Sequence, residues 1–339
     1  MKLGFREGVL YDETRQDWDA TGPRPVRWSL WYPAAEGSIE TDIPGRSWFR
    51  RAAVARDAPV RPAAKPYPLV LLSHGTGASA AALEWLARRL VNRGFIALGV
   101  DHHGNTGGEP YRAEAFACLW ERAPDLSLLL DRRKDWQDDL AGHIGTDRVF
   151  AAGFSAGAYT VMLLLGAVAQ FSQFEQSSLK AGGPRGPREF PDLADHIPSL
   201  FRTSTAFRQS WSRMSQSYRD DRIKAALLCA PGRSIRGFSE ESLKAVDKPA
   251  LILVGDADDT APVEECSSWL HARLRRSTLK ILPGGLEHYI FLPEGTALGL
   301  SFAEHLFTDP AGIDRSDAHD EIADQAGVFF HGVGISADS

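Results

Sequence analysis

Four short runs of the chain are almost wholly apolar: Leu69–Leu72, Phe95–Val100, Val149–Ala152 and Leu251–Val254. Ile223–Ala230 is similar, with Lys224 near its start. A strand that is apolar at successive positions presents apolar side chains on both faces, so both must be shielded from water, as in a parallel sheet covered by helices. Helical patterns fill the gaps at Ala81–Val91, Leu126–Leu140, Ala156–Leu165 and Val263–Leu274. Strand and helix in steady alternation predict an α/β fold, a mostly parallel doubly wound sheet. Val26–Tyr32 alternates apolar with polar residues and stops at Pro33, which reads as an early, partly exposed strand.

One stretch breaks the rhythm. Gln170–Asp221 has no clear strand, a Gly/Pro-rich hinge at Gly182–Pro187 and a scatter of aromatics including Phe171, Phe174, Phe190, Phe207 and Trp211. About fifty residues of this kind are too long for an ordinary loop, so a helical insertion is expected. Its place after the helix Ala156–Leu165 suits a cap over an active site. The expected division is a catalytic α/β unit of residues 1–169 and 222–339 with a cap insertion at 170–221.

Composition narrows the partners. With 339 residues the chain can bury a large core, and 43% hydrophobic with 24% charged residues is ordinary for a globular protein. A net charge of −6 argues against nucleic acid or anionic membrane as the main partner. Cys118, Cys229 and Cys266 are too few and too widely spaced for a disulfide scaffold or metal site, so they are read as buried free thiols. Met1–Asp12 has no unbroken apolar stretch, and the longest nearly apolar run, Tyr159–Ala169, is far short of the about 20 residues of a membrane span. The expectation is a cytoplasmic protein without a membrane span.

The chemistry centres on Gly153-Phe154-Ser155-Ala156-Gly157, a G-x-S-x-G match. The motif alone is weak, but here an apolar strand pattern runs into it and a helical pattern leaves it. Turning from strand to helix at one residue forces a strained backbone at the serine, and the flanking positions must be small to avoid collision. A neutral serine hydroxyl is a poor nucleophile and needs a base. Partners are expected later in the chain, in the order acid then histidine. Leu251–Val254 leads into Gly255-Asp256-Ala257-Asp258-Asp259-Thr260-Ala261-Pro262, where three aspartates compete. Gly255, Asp258 and Pro262 fit the spacing Gly-x-x-Asp-x-x-x-Pro, while Asp256 and Asp259 read as loop or helix-start carboxylates. After Leu279–Leu282, the glycine-rich loop Pro283–Glu287 leads to His288. Ser155 is thus the expected nucleophile, His288 its base, and Asp258 the carboxylate that fixes the imidazole tautomer. All three follow the carboxyl ends of strands, where open α/β sheets place their sites.

Such a reaction needs two N–H donors for a developing oxyanion. Ala156, next after the nucleophile, is expected to supply one. The other is expected from Thr76 in Ser73-His74-Gly75-Thr76-Gly77, where Gly75 and Gly77 let the backbone approach a substrate. His74 is read as orienting this turn, and His74, Gly75, Gly77, His102, His103 and Phe154 as possible pocket residues. The remaining histidines, 143, 196, 271, 305, 319 and 331, read as surface or core residues without partners. No His/Cys cluster has metal-ligand spacing, so neither metal nor cofactor is expected.

His74-Gly75-Thr76-Gly77, Val100-Asp101-His102-His103-Gly104-Asn105, Gly153–Gly157, Gly255/Asp258/Pro262 and Gly285/His288 together resemble the α/β-hydrolase superfamily. Within it the nearest likeness is the predicted dienelactone hydrolase group, related to the platelet-activating-factor acetylhydrolases and cutinase-like esterases, whose N-terminal strand Arg24–Pro33 also resembles. True dienelactone hydrolases use a cysteine nucleophile, so Ser155 removes any implication of lactone specificity. The resemblance implies an α/β-hydrolase fold with a helical cap and a serine esterase acting on a small-molecule ester or acyl substrate. Amide hydrolysis or acyl transfer by the same triad, and a non-catalytic binding protein of this fold, are the alternatives. Oligomeric state is not legible in the sequence.

Overall fold

The computed structural model describes residues 1–172, 174 and 185–335. Nine strands form one sheet: β1 (Leu3–Gln16), β2 (Pro23–Pro33), β3 (Ala55–Arg56), β4 (Tyr67–Ser73), β5 (Ile96–Asp101), β6 (Ile144–Phe154), β7 (Ile223–Cys229), β8 (Ala250–Gly255) and β9 (Ser277–Leu282). Their spatial order is β3-β1-β2-β5-β4-β6-β7-β8-β9. From β5 to β9 every pairing is parallel, and β1–β2 and β2–β5 are antiparallel. The chain crosses back at β4, the topological switch point of a doubly wound sheet.

The continuous apolar strands are buried on both faces, as their composition requires. In β4, Leu69 and Leu71 join one core while Val70 and Leu72 join the other. Ile252 and its neighbours Leu251 and Leu253 divide in the same way on β8. One face is covered by the helices Arg122–Asp131 and Ala156–Leu165, the other by Glu84–Asn92 and the C-terminal helix Arg315–Ile335. Phe330 of that last helix stacks on Phe150 of β6 at 4.7 Å.

Val26–Tyr32 is, as expected, a partly exposed strand: it lies in β2 between β1 and β5, with Arg27 exposed and Ser29 half-buried while Val26, Leu30 and Trp31 are fully buried. Two expectations change. The Leu126–Leu140 pattern is not one helix but the helix Arg122–Asp131, a single turn at Lys134–Gln137 and a 3-10 segment at Asp138–His143. The long N-terminal strand β1 has no counterpart among the apolar runs, because its burial largely alternates along a strand flanked on its outer side only by the two-residue β3.

In the insertion, the described residues hold two helices, Leu193–Thr203 and Thr205–Trp211. Phe207 is fully buried and Trp211 meets Trp120 edge-on at 5.4 Å, so this part packs onto the main core. Gly182, Gly183 and Pro184 of the expected hinge lie outside the described residues. All three cysteines are free and buried. No helix among the described residues is long and apolar enough to cross a membrane.

Candidate active site

β6 ends at Phe154 and the next helix begins at Ala156, leaving Ser155 alone to make the turn at φ 54° and ψ −114°. A non-glycine residue pays conformational strain there, held in place by surrounding structure. The Ser155 N–H donates to Cys229 O on β7 at 2.9 Å. The flanking glycines have no room for a side chain: a Cβ at Gly157 would lie 1.9 Å from Ser73 O, and one at Gly153 2.2 Å from Gly157 O.

The expected partners converge on this serine. His288 Nε2 lies 3.1 Å from Ser155 Oγ, and His288 Nδ1 lies 2.7 Å from Asp258 Oδ2. His288 and Asp258 are both buried. The second Asp258 oxygen accepts the Ala261 N–H at 2.7 Å, which fixes the carboxylate plane. The neighbouring aspartates do different work. Asp256 accepts N–H bonds from Gly284, Gly285 and Leu286, at 3.1, 2.8 and 3.1 Å. It therefore shapes the loop that presents His288, where Gly284 and Gly285 both have positive φ. Asp259 is exposed and, among the described residues, meets Thr260 Oγ1 alone at 3.3 Å. Phe154, at the variable position of the elbow, packs its ring on His288 with centroids 4.9 Å apart.

A cavity of about 580 Å³ opens over Ser155. Gly75, Thr76, Gly77, Phe154, Ala156 and His288 all face it. Gly77 adopts φ 64°, with its N–H on Asn105 Oδ1 at 2.8 Å and its carbonyl accepting from Tyr111 OH at 2.7 Å. Phe174 and residues 186–189 of the insertion contribute to the wall, as do Trp48 and Phe302, an exposed pair with parallel rings 5.9 Å apart.

Three expected pocket residues are not on its wall. His74 and His102 are fully buried behind the 74–77 turn, where polar partners enclose them. His102 sits between Ser73 Oγ at 2.9 Å and Asp125 Oδ2 at 3.0 Å, and burial, then the Arg122 charge, push its pKa down to about 3. His103 pairs with Glu109 at 2.7 Å instead of facing the cavity. His74 Nδ1 lies 2.7 Å from Gly75 O and its Nε2 accepts the His102 N–H at 3.2 Å, so it orients the turn.

Five of the six remaining histidines also have partners that their sequence surroundings did not reveal. His305 faces the cavity with Nε2 2.6 Å from Arg188 Nη1. His319 stacks on Trp85 at 3.8 Å and donates to Ile290 O at 2.7 Å. His196, His271 and His331 meet Asp192, Ser277 and the Arg93 carbonyl.

Sequence reasoning missed two parts of this region. Gly232, just past β7, lies so close that a Cβ there would stand 3.3 Å from Ser155 Oγ. Its signal was available, since Pro231-Gly232 follows the carboxyl end of a sheet strand. The second is a buried charge cluster. Asp125 accepts from Arg15 at 2.7 Å, from Arg24 at 2.8 and 3.1 Å, and from His102. Burial alone would raise the Asp125 pKa, but the Arg24 and Arg15 charges hold it well below the carboxylate range. No local pattern joins residues 101 apart in the chain.

No family model matches the chain. A stretch of 106 residues is 28% identical to a curated protein of Synechocystis sp. named "Putative non-heme chloroperoxidase", covering 27% of this chain and 38% of that protein. Among solved structures the chain is similar to a ferulic acid esterase from Streptomyces cinnamoneus, with a TM-score of 0.61 and 20% identity over 97% of this chain and 89% of that one. It is also similar to a puromycin-hydrolyzing peptidase of Mycobacterium tuberculosis, with a TM-score of 0.52 and 13% identity over 97% of this chain and 39% of that one. The sheet order and these likenesses make the architecture an α/β-hydrolase fold.

Proposed function

We propose that the protein is a serine hydrolase that cleaves carboxylic esters through an acyl-enzyme intermediate. The observation that carries this reading is the unbroken line from Ser155 Oγ to His288 Nε2 and from His288 Nδ1 to Asp258 Oδ2, at 3.1 and 2.7 Å. In this mechanism His288 takes the Ser155 proton as Oγ attacks the ester carbonyl, then returns it to the leaving alkoxide. A water activated by the same imidazole releases the acid. The N–H groups of Thr76 and Ala156 receive the oxyanion, and Asp258 stabilises the imidazolium. The resemblance to the predicted dienelactone hydrolase group and the esterase among the similar structures support the same reading.

The described residues of 170–221 belong to the cap in this proposal, since Phe174 and residues 186–189 stand on the cavity wall. The test is hydrolysis of short p-nitrophenyl esters together with labelling by a fluorophosphonate. Ser155→Ala is expected to lose both while keeping the circular dichroism and melting curve of the parent. Undiminished hydrolysis by Ser155→Ala would overturn the proposal, as would a parent chain that neither hydrolyses an ester nor takes the label.

A further inference from the structure

Arg122 opens the helix Arg122–Asp131, and its side chain is 1% exposed. Its Nη2 donates to the carbonyl of His74 and lies 3.3 Å from His74 Nδ1, while Nε and Nη1 have no hydrogen-bond partner among the described residues. A buried guanidinium left so incompletely satisfied is costly and calls for a reason. The nearby acid does not hydrogen-bond to it. Asp125, one turn along the same helix, gives its oxygens to Arg15, Arg24 and His102. The Arg122 charge is therefore directed at the turn that carries Thr76.

The covalent geometry of that turn supplies the reason. His74 Nε2 accepts the His102 N–H, so the ring carries its proton on Nδ1, and this proton is donated to Gly75 O at 2.7 Å. The Gly75 carbonyl and the Thr76 N–H share one planar peptide unit and point in opposite directions. Holding the carbonyl from behind therefore aims the N–H forward, toward the cavity that Thr76 faces. Arg122 fixes the preceding peptide through the His74 carbonyl. Its buried positive charge also lies behind the same turn, where low polarizability lets it act on a negative charge at the front.

We propose that Arg122 is a positioning residue for the oxyanion side of the site, locking the His74–Thr76 turn and supplying a positive field behind its N–H donor. The inference rests on the serine-hydrolase reading with Thr76 as a donor. Removing an oxyanion donor outright costs about 10²–10³ in rate, so loosening one is expected to cost less.

The test compares Arg122→Met and Arg122→Lys with Arg89→Met in the full chain. Arg89 is a buried arginine bound to Asp320 and Ser316, away from the cavity, and controls for lost stability. Readouts are kcat and KM on p-nitrophenyl butyrate and the inhibition constant of a trifluoromethyl ketone, whose adduct on serine carries the oxyanion. Arg122→Met is expected to lose about 10–100-fold in kcat. Its KM should stay within threefold, and its inhibitor affinity should fall in parallel with kcat/KM. Arg122→Lys should recover part of both, and Arg89→Met should lower the melting temperature with kcat unchanged. If Arg122→Met does not fold, Arg122→Lys and Arg122→Gln are compared on the same two readouts. Unchanged kcat and inhibitor affinity in the folded Arg122 variants would overturn the proposal, as would losses no larger than those of Arg89→Met. A parent chain inert to both ester and ketone would instead overturn the serine-hydrolase reading on which it rests.

Discussion

His288 Nδ1 lies 2.7 Å from Asp258 Oδ2, while the other oxygen of that carboxylate is engaged by the Ala261 N–H. Only the tautomer with the proton on Nδ1 satisfies this contact and leaves Nε2 free to accept from Ser155. Asp258→Asn keeps the shape but can present its amide N–H to the ring and favour the wrong tautomer. The expected loss is about 10³–10⁴ in kcat with little change in KM, in line with the effect of this exchange in a serine protease triad. Steady-state kinetics on a p-nitrophenyl ester check it.

Gly232 and Gly157 separate space for substrate from space for the fold. A methyl at 232 would stand 3.3 Å from Ser155 Oγ and 3.8 Å from Ala156 N, with no backbone clash of the severity found at the elbow. Gly232→Ala should fold normally and lose kcat/KM, more for bulky acyl groups than for acetate. Gly157→Ala would drive its methyl to 1.9 Å from Ser73 O, so a strand must move. A loss of about 3 kcal/mol or more is expected there from overpacking. Melting curves alongside a series of esters of increasing acyl length distinguish the two.

Asp101 titrates with a sign opposite to the buried histidines. Burial pushes its pKa up to about 6, with Glu109 adding to the rise and the Ala80 N–H, Arg27 and Arg51 opposing it. A carboxyl with a raised folded pKa binds more protons folded than unfolded between about pH 3.9 and 6, so its contribution to stability falls across that window and stays low above it. Asp101→Asn, which still accepts the Ala80 N–H, should raise the melting temperature by about 2–4 °C at pH 7.5 and have little effect at pH 4.

His102 and His319 are both held near pKa 3 by burial, so the unfolded chain takes up protons that the folded chain refuses. Their contribution to stability is present above about pH 6.5 and is lost progressively as pH falls toward 3. Denaturant midpoints measured from pH 7.5 to pH 4.5 should therefore decline on the acid side in the parent chain.

Asp125→Asn leaves Arg15 and Arg24 buried with one carboxylate fewer. Breaking a buried pair from one side costs about 3–5 kcal/mol. Urea denaturation is expected to show a loss of that size. Where the variant still folds, kcat should also fall, because His102 loses the partner that orients it beneath His74.

What could be read in advance followed physical locality. Leu69–Leu72 and Leu251–Val254 announce buried strands because both faces of each strand need shielding, and that is a property of the run itself. Ser155, Asp258 and His288 were legible because each lies beside a strand end and a glycine-rich turn whose steric demands leave a trace in nearby residues. His102 was not: it was expected at the pocket because it follows β5, yet the polar partners that bury it, Ser73 and Asp125, come from two other elements. β1 was missed for a related reason. Its alternation of buried and exposed residues leaves no apolar run to mark it, and its pairing with β2 becomes visible only once the fold brings the two together.

The cations held by Asp125 come from β1 and β2, 110 and 101 residues before it in the chain. Arg15 finds one partner on its own strand in Asp12, but its outer nitrogens and the guanidinium of Arg24 must remain hydrated until the helix that carries Asp125 arrives, and Asp125 until they do. The antiparallel margin of the sheet and the floor beneath the His74 turn can therefore dehydrate only together. A fragment that begins after Pro33 would keep Ser155, Asp258 and His288 yet leave Asp125 stripped of both guanidinium partners. The first two strands are thus inseparable from the candidate site in assembly, although no residue of either lines the cavity over Ser155.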